Sequence, residues 1–93
     1  MNILCTPLYE TQLKAILEEF AKENFAATKT FKIYLDTIII NMPTKAKKYK
    51  KSIYFDDENI KDIEHENFTI IFYIDNLKDN YLILSIIKKN QAS

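Results

Sequence analysis

The 93-residue chain contains no glycine, no arginine and no tryptophan, and it has one cysteine, one histidine and two prolines. The missing glycine excludes a phosphate-cradling P-loop, a dinucleotide-binding fingerprint and an EF-hand calcium loop. Each of those needs glycine for close backbone approach or for positive φ. Turns that require positive φ are expected to fall to asparagine and aspartate, and the asparagines at 24, 67, 76, 80 and 90 stand at expected turns. A lone Cys5 excludes an internal disulfide and a cysteine-based zinc site, and fits a reducing compartment. No apolar run approaches the ~20 residues of a membrane span. The N-terminus lacks the basic start and long apolar stretch of a signal peptide, so a cytoplasmic protein with no membrane partner is expected.

Thirteen lysines balance thirteen acids, and 47% of the chain is hydrophobic, with twelve phenylalanines and tyrosines. That composition suits one small globular domain spanning residues 1–93. Ile3–Thr6 reads as a short strand. Thr6-Pro7 then reads as a helix start, a hydroxyl N-cap followed by proline at the first helical position. Tyr9, Leu13, Ile16, Leu17 and Phe20 recur at helical spacing to a terminus at Asn24. Ala27, Phe31, Tyr34, Leu35, Ile38 and Met42 carry a second helix, which Pro43 is expected to end. Ile60–Glu64, Phe68–Ile74 and Tyr81–Ile87 are strands by their β-branched and aromatic content. The last two, apolar almost throughout, are expected at the centre of the sheet. The expected fold is α+β, in the order β-α-α-β-β-β: a two-helix antiparallel hairpin packed on one face of a mainly antiparallel sheet.

The run K-A-K-K-Y-K-K places five lysines among seven residues, Lys45–Lys51. It reads either as a solvated loop or as a phosphate-binding patch with Tyr49 or Tyr54 stacking on a base. Lysine does not fork onto phosphate as arginine does. The acids Asp56, Asp57, Glu58, Asp62, Glu64 and Glu66 follow closely and oppose nucleic acid. Asp56–Glu58 lacks the spaced ligands of a calcium loop and reads as a turn or strand entry. His65, in an expected hairpin turn, has no second histidine with which to hold a metal. Neither Ser52 nor Ser85 has the surroundings of an activated nucleophile. No metal, cofactor or small-molecule substrate is expected. Lys88 and Lys89 close the last strand and could face an anionic partner beside Lys47, Lys48, Lys50, Lys51 and Lys61.

The layout resembles the RelE/ParE family of bacterial type II toxins over about residues 2–89. The resemblance rests on P-L-Y-E-T-Q-L-K-A-I, N-I-K-D-I, N-F-T-I-I-F-Y-I and Y-L-I-L-S-I-I-K-K in that order. It implies a growth-inhibiting toxin silenced by a cognate antitoxin whose C-terminal segment wraps it. RelE-like members cut mRNA in the ribosomal A site with basic residues along the sheet; ParE-like members inhibit DNA gyrase without that set. Here Thr69 replaces the RelE-like arginine, and Asp62 and Glu64 stand where basic residues are expected. Lys88 takes the place of the terminal histidine, and Lys61 matches the arginine of the "vRel" pattern. The resemblance therefore implies a ParE-like, non-nucleolytic toxin. The alternatives are a ribosome-dependent mRNA interferase centred on Lys61, Lys88 and Lys89, or a non-toxic remnant that binds only antitoxin.

Overall fold

A computed structural model describes residues 2–89. Strand β1 (Asn2–Cys5) leads into helix α1 (Pro7–Glu23), helix α2 (Phe25–Lys45) and a short 3-10 turn (Ala46–Lys48). Strands β2 (Ile60–His65), β3 (Phe68–Asp75) and β4 (Asn80–Lys88) follow. The sheet order is β1-β4-β3-β2. β3 and β4 are central as expected, with β1 parallel to β4 and the other pairs antiparallel.

The helix ends follow the sequence signals. Thr6 accepts the Tyr9 amide on its hydroxyl at 3.1 Å, with Pro7 behind it. Asn24 serves both helices. Its amide bonds Phe20 O at 2.8 Å and closes α1, while its side chain accepts the Ala27 amide at 3.2 Å and opens α2. One residue thereby satisfies orphan groups of two helix ends, and the connection is as short as a hairpin allows.

Pro43 does not end α2, which runs on to Lys45. A proline inside a helix removes one backbone hydrogen bond and crowds the preceding turn, at about 3 kcal/mol. The turn is held because Met42 before it and Ala46 after it are both buried in the core. The buried stripe of α2 is also narrower than its periodicity suggests. Phe31, Leu35 and Met42 are enclosed, whereas Tyr34 is 56% exposed on the flank.

Strand register sorts the sheet side chains into two faces. Phe68, Ile70, Phe72 and Ile74 lie opposite Ile86, Ile83 and Tyr81 of β4, and opposite Ile63 and His65 of β2. This face meets the helices through an aromatic cluster. Phe31 stands 5.0 Å from Phe20 and 5.3 Å from Phe68, ring to ring, in edge-on geometry. His65 belongs to this face as the last residue of β2, half-buried with its ring 6.2 Å from Phe31. The exposed turn position expected for it is taken by Glu66 and Asn67.

β4 bulges where Ile71 pairs with Ser85 but Phe72 pairs with Ile83. A bulge leaves backbone groups outside the ladder, and α1 supplies their partners. The Thr6 hydroxyl donates to Leu84 O at 2.6 Å, and Gln12 Oε1 accepts the Ile86 amide at 2.9 Å. The α1–β4 junction is thus fixed by directional bonds as well as by packing.

Positive φ occurs at Glu66 (52°) and Asp79 (53°) among the described residues. Asp79 meets the expectation that aspartate or asparagine fills such positions; Glu66, beside the more tolerant Asn67, does not. A left-handed non-glycine residue costs roughly 1–2 kcal/mol, part of which glycine would return as unfolded-state entropy. Glu66→Gly should therefore raise stability by about 0.5–1 kcal/mol in urea unfolding; a loss would show that the Glu66 side chain supports the turn.

Candidate interaction surfaces

The lysine-rich run leaves the end of α2, and only part of it is solvated loop. Ala46 is buried, and Tyr49 turns inward to meet Phe72 edge-on at 5.8 Å. Tyr49 is thus committed to the core rather than offered to a base. The chain then extends beside the outer edge of β2. Lys51 pairs with Lys61, the Ser52 amide bonds Ile60 O at 2.8 Å, and the Asp62 amide bonds Lys50 O at 3.2 Å.

Opposed lysines on adjacent chains repel, and the acidic run offsets them. Lys51 Nζ lies 2.8 Å from Asp56 and 3.8 Å from Glu58. Asp57 instead organises its own turn, accepting the Asn59 amide on its carboxylate at 2.8 Å. The Lys51 hydrogen bond and charge hold the Asp56 carboxyl below the usual aspartate range, and Asp56 raises the Lys51 ammonium in return. Because the folded Asp56 value is depressed, the contact is complete above the unfolded aspartate range and is lost as pH falls through the folded value. Carboxyl NMR should show Asp56 titrating below an ordinary aspartate and returning to normal in Lys51→Met. An unchanged midpoint in that variant would refute the pairing.

Lys88 and Lys89 stand elsewhere. Lys88 pairs with Phe68 in register, at the β2–β3 turn end of the sheet. It lines a cleft with Ile16, Glu19, Phe20 and Glu66. Lys89 bonds Glu64 at 2.6 Å, and its amide bonds Asn67 O at 2.7 Å. The cations are therefore distributed in three places. Lys47, Lys48 and Lys50 follow α2; Lys51 and Lys61 are paired at the β2 edge; Lys88 and Lys89 lie at the other end of that hairpin. The structure brings Lys51 to Lys61 but does not gather all seven lysines onto one surface.

The sheet face turned away from the helices carries Asp62, Glu64 and Asp75 together with Ile60, Ile71, Tyr73 and Leu82, by strand register. Asp62 accepts the Ile53 amide at 3.1 Å, and Glu64 holds Lys89 and receives the Thr69 hydroxyl at 3.4 Å. Ile60 and Ile71 are buried on this face, and its exposed part carries the acids with the half-buried Tyr73 and Leu82.

Apolar exposure, to which the sequence reading assigned no role, concentrates in two places. On α2, Phe25 (77%), Ile33 (56%) and Ile40 (71%) face outward. Phe25 and Ile33 join Leu17, Thr28, Lys29 and Lys32 around a groove between the helices. In the loop before β2, Ile53, Tyr54 and Phe55 are exposed in succession. Such clustering of large apolar side chains marks protein-contact surfaces. The signal was present in the sequence as isoleucines on the supposedly polar side of α2. Among the described residues no cluster of three or more histidine, cysteine or acidic side chains could hold a metal, and no helix is long and apolar enough to cross a membrane. The Cys5 thiol is raised by partial burial and by Glu10, which makes it a poor nucleophile.

No protein-family model matches the chain, and no curated protein matches it. Among solved structures nine chains match. One of them belongs to a structure described as the chromosomal ParDE TA (toxin–antitoxin) system from P. aeruginosa. It superposes with a TM-score of 0.72 at 15% identity, covering 97% of each chain. At that identity the likeness is one of fold, over nearly the whole length of both chains. The chain has a ParE-like fold.

Proposed function

We propose that the chain is the toxin of a type II toxin–antitoxin pair, arresting growth through protein contact until its cognate antitoxin binds. The observation that carries this reading is the 97% mutual coverage with a chain of a ParDE system. The exposed apolar residues of α2 and its inter-helix groove supply surface suited to a helical antitoxin segment. DNA gyrase is the proposed target, as for ParE-like toxins.

Electrostatics support protein contact over RNA cleavage. An RNase site needs a proton acceptor and unopposed cations around the scissile phosphate. Here Lys51 and Lys89 are already paired with acids, and the sheet face turned away from the helices carries Asp62, Glu64 and Asp75. Inducible expression in a bacterial host should stop growth and provoke DNA damage while mRNA stays intact, and coexpressed antitoxin should restore growth. Normal growth with normal DNA supercoiling would overturn the proposal. Codon-phased mRNA cuts lost in Lys88→Ala would replace it with a ribosome-dependent interferase using Lys61, Lys88 and Lys89.

A further inference from the structure

Where the β2–β3 turn meets the helical hairpin, a cleft is lined by Phe20 of α1, by Ala27, Thr30, Phe31 and Tyr34 of α2, and by Glu66. Three of its six residues are aromatic. The Phe20 and Phe31 rings are locked edge-on at 5.0 Å, and Phe68 braces Phe31 from below at 5.3 Å. Thr30 directs its hydroxyl back to Ala26 O at 3.2 Å, so its donor is engaged on the helix.

Glu66 is the unusual member. It occupies the left-handed position of the turn, at φ 52°, where glycine or asparagine is the less strained choice. Its side chain is exposed and makes no hydrogen bond or ion pair among the described residues. Lys88 lines the adjoining cleft, which shares Phe20 and Glu66, yet forms no ion pair with it. The turn geometry thus sets an unpaired carboxylate beside the partly exposed rings of Phe20 and Tyr34, with the buried Phe31 behind them. Both features attract cations, the rings through their quadrupole and the carboxylate by charge.

We infer that this cleft receives an arginine side chain from a bound protein partner, its guanidinium lying on the rings of Phe20 and Tyr34 and paired with Glu66. Guanidinium suits the site better than ammonium: it is planar, weakly hydrated, stacks on rings and forks onto a carboxylate. The chain contains no arginine of its own, so a second copy cannot supply the group. The inference rests on the toxin reading only for who the partner is, the antitoxin; the cleft's preference is a property of its own residues.

The test is an NMR titration of the full chain with Nα-acetyl-arginine N-methylamide, following the aromatic signals of Phe20, Phe31 and Tyr34. The citrulline counterpart, equal in shape but uncharged, and the lysine counterpart serve as comparisons. Glu66→Gln and Glu66→Gly remove the charge, and the glycine variant relieves the turn, so lost binding cannot be ascribed to a broken fold. Arginine should shift these three residues and bind about tenfold more tightly than citrulline, with a similar drop in both Glu66 variants. Equal binding of citrulline or lysine, undiminished binding in either variant, or the absence of shifts at these rings would overturn the inference. The growth assay is independent of this result, so failure of the cleft leaves the toxin proposal standing, and failure of toxicity leaves the cleft.

Discussion

Phe72→Ala should lower stability by about 3–5 kcal/mol, the range for truncating a fully enclosed phenylalanine. Phe72 is 0% exposed at the centre of the sheet, opposite Lys61 on β2 and Ile83 on β4, with Tyr49 edge-on at 5.8 Å. Both neighbouring strands are held in the ladder and cannot close over the cavity. A domain of this length has roughly 5–14 kcal/mol in total, so about a fifth or more of its margin rests on this ring. Urea unfolding should show a lower midpoint at nearly unchanged slope. Phe72→Leu, which keeps most of the volume, should lose under about 1.5 kcal/mol. A loss below about 1 kcal/mol for the alanine variant would mean that the core rearranges. Tyr49 reports the same event locally, since its ring rests on Phe72 and is freed into the lysine-rich segment.

Thr6→Val is isosteric yet should cost about 2–3 kcal/mol, combining a lost helix cap of about 1 kcal/mol with a bulge carbonyl left without its donor. The Thr6 hydroxyl works in both directions, accepting from the Tyr9 amide and donating to Leu84 O. Thr6→Ser retains both bonds and should stay within about 0.5 kcal/mol of the parent in urea unfolding. If valine kept the parent's stability and serine lost it, the methyl group rather than the hydroxyl would be the stabilising part. Hydrogen exchange adds a sharper readout. The valine variant should lose protection at the first turn of α1 and at the β4 bulge together, because one oxygen serves both.

Local chemistry made much of this fold legible. Thr6-Pro7 marked the start of α1, Asn24 its end, and the apolar content of Phe68–Ile74 and Tyr81–Ile87 placed β3 and β4 in the centre. What stayed hidden depends on tertiary register. Pro43 reads as a helix stop because its own backbone is all the sequence shows, whereas Met42 and Ala46 hold the helix together across it by packing on the sheet. His65 looks like a turn residue until its register opposite Phe68 places it against the helices. Charge was the least legible property. The sequence set lysines next to acids without showing that Lys51 would take Asp56, or that Lys89 would cross to Glu64. Glu66 gave no sign of its position either, because a glutamate in a left-handed turn breaks the rule by which such turns are read.

The parallel pairing of β1 with β4 joins Asn2–Cys5 to Asn80–Ile83, the first described strand to the last. Everything between them must be made before either has its partner, and such distant contacts form slowly because the intervening loop must close first. During synthesis the helical hairpin can collapse early, but β1 stays an open edge and the Thr6 hydroxyl waits for Leu84. The folded surfaces of α1 against β4 therefore arise only after β4 has been made. Any partner that reads α1 and β4 together must wait until β4 has been made and paired.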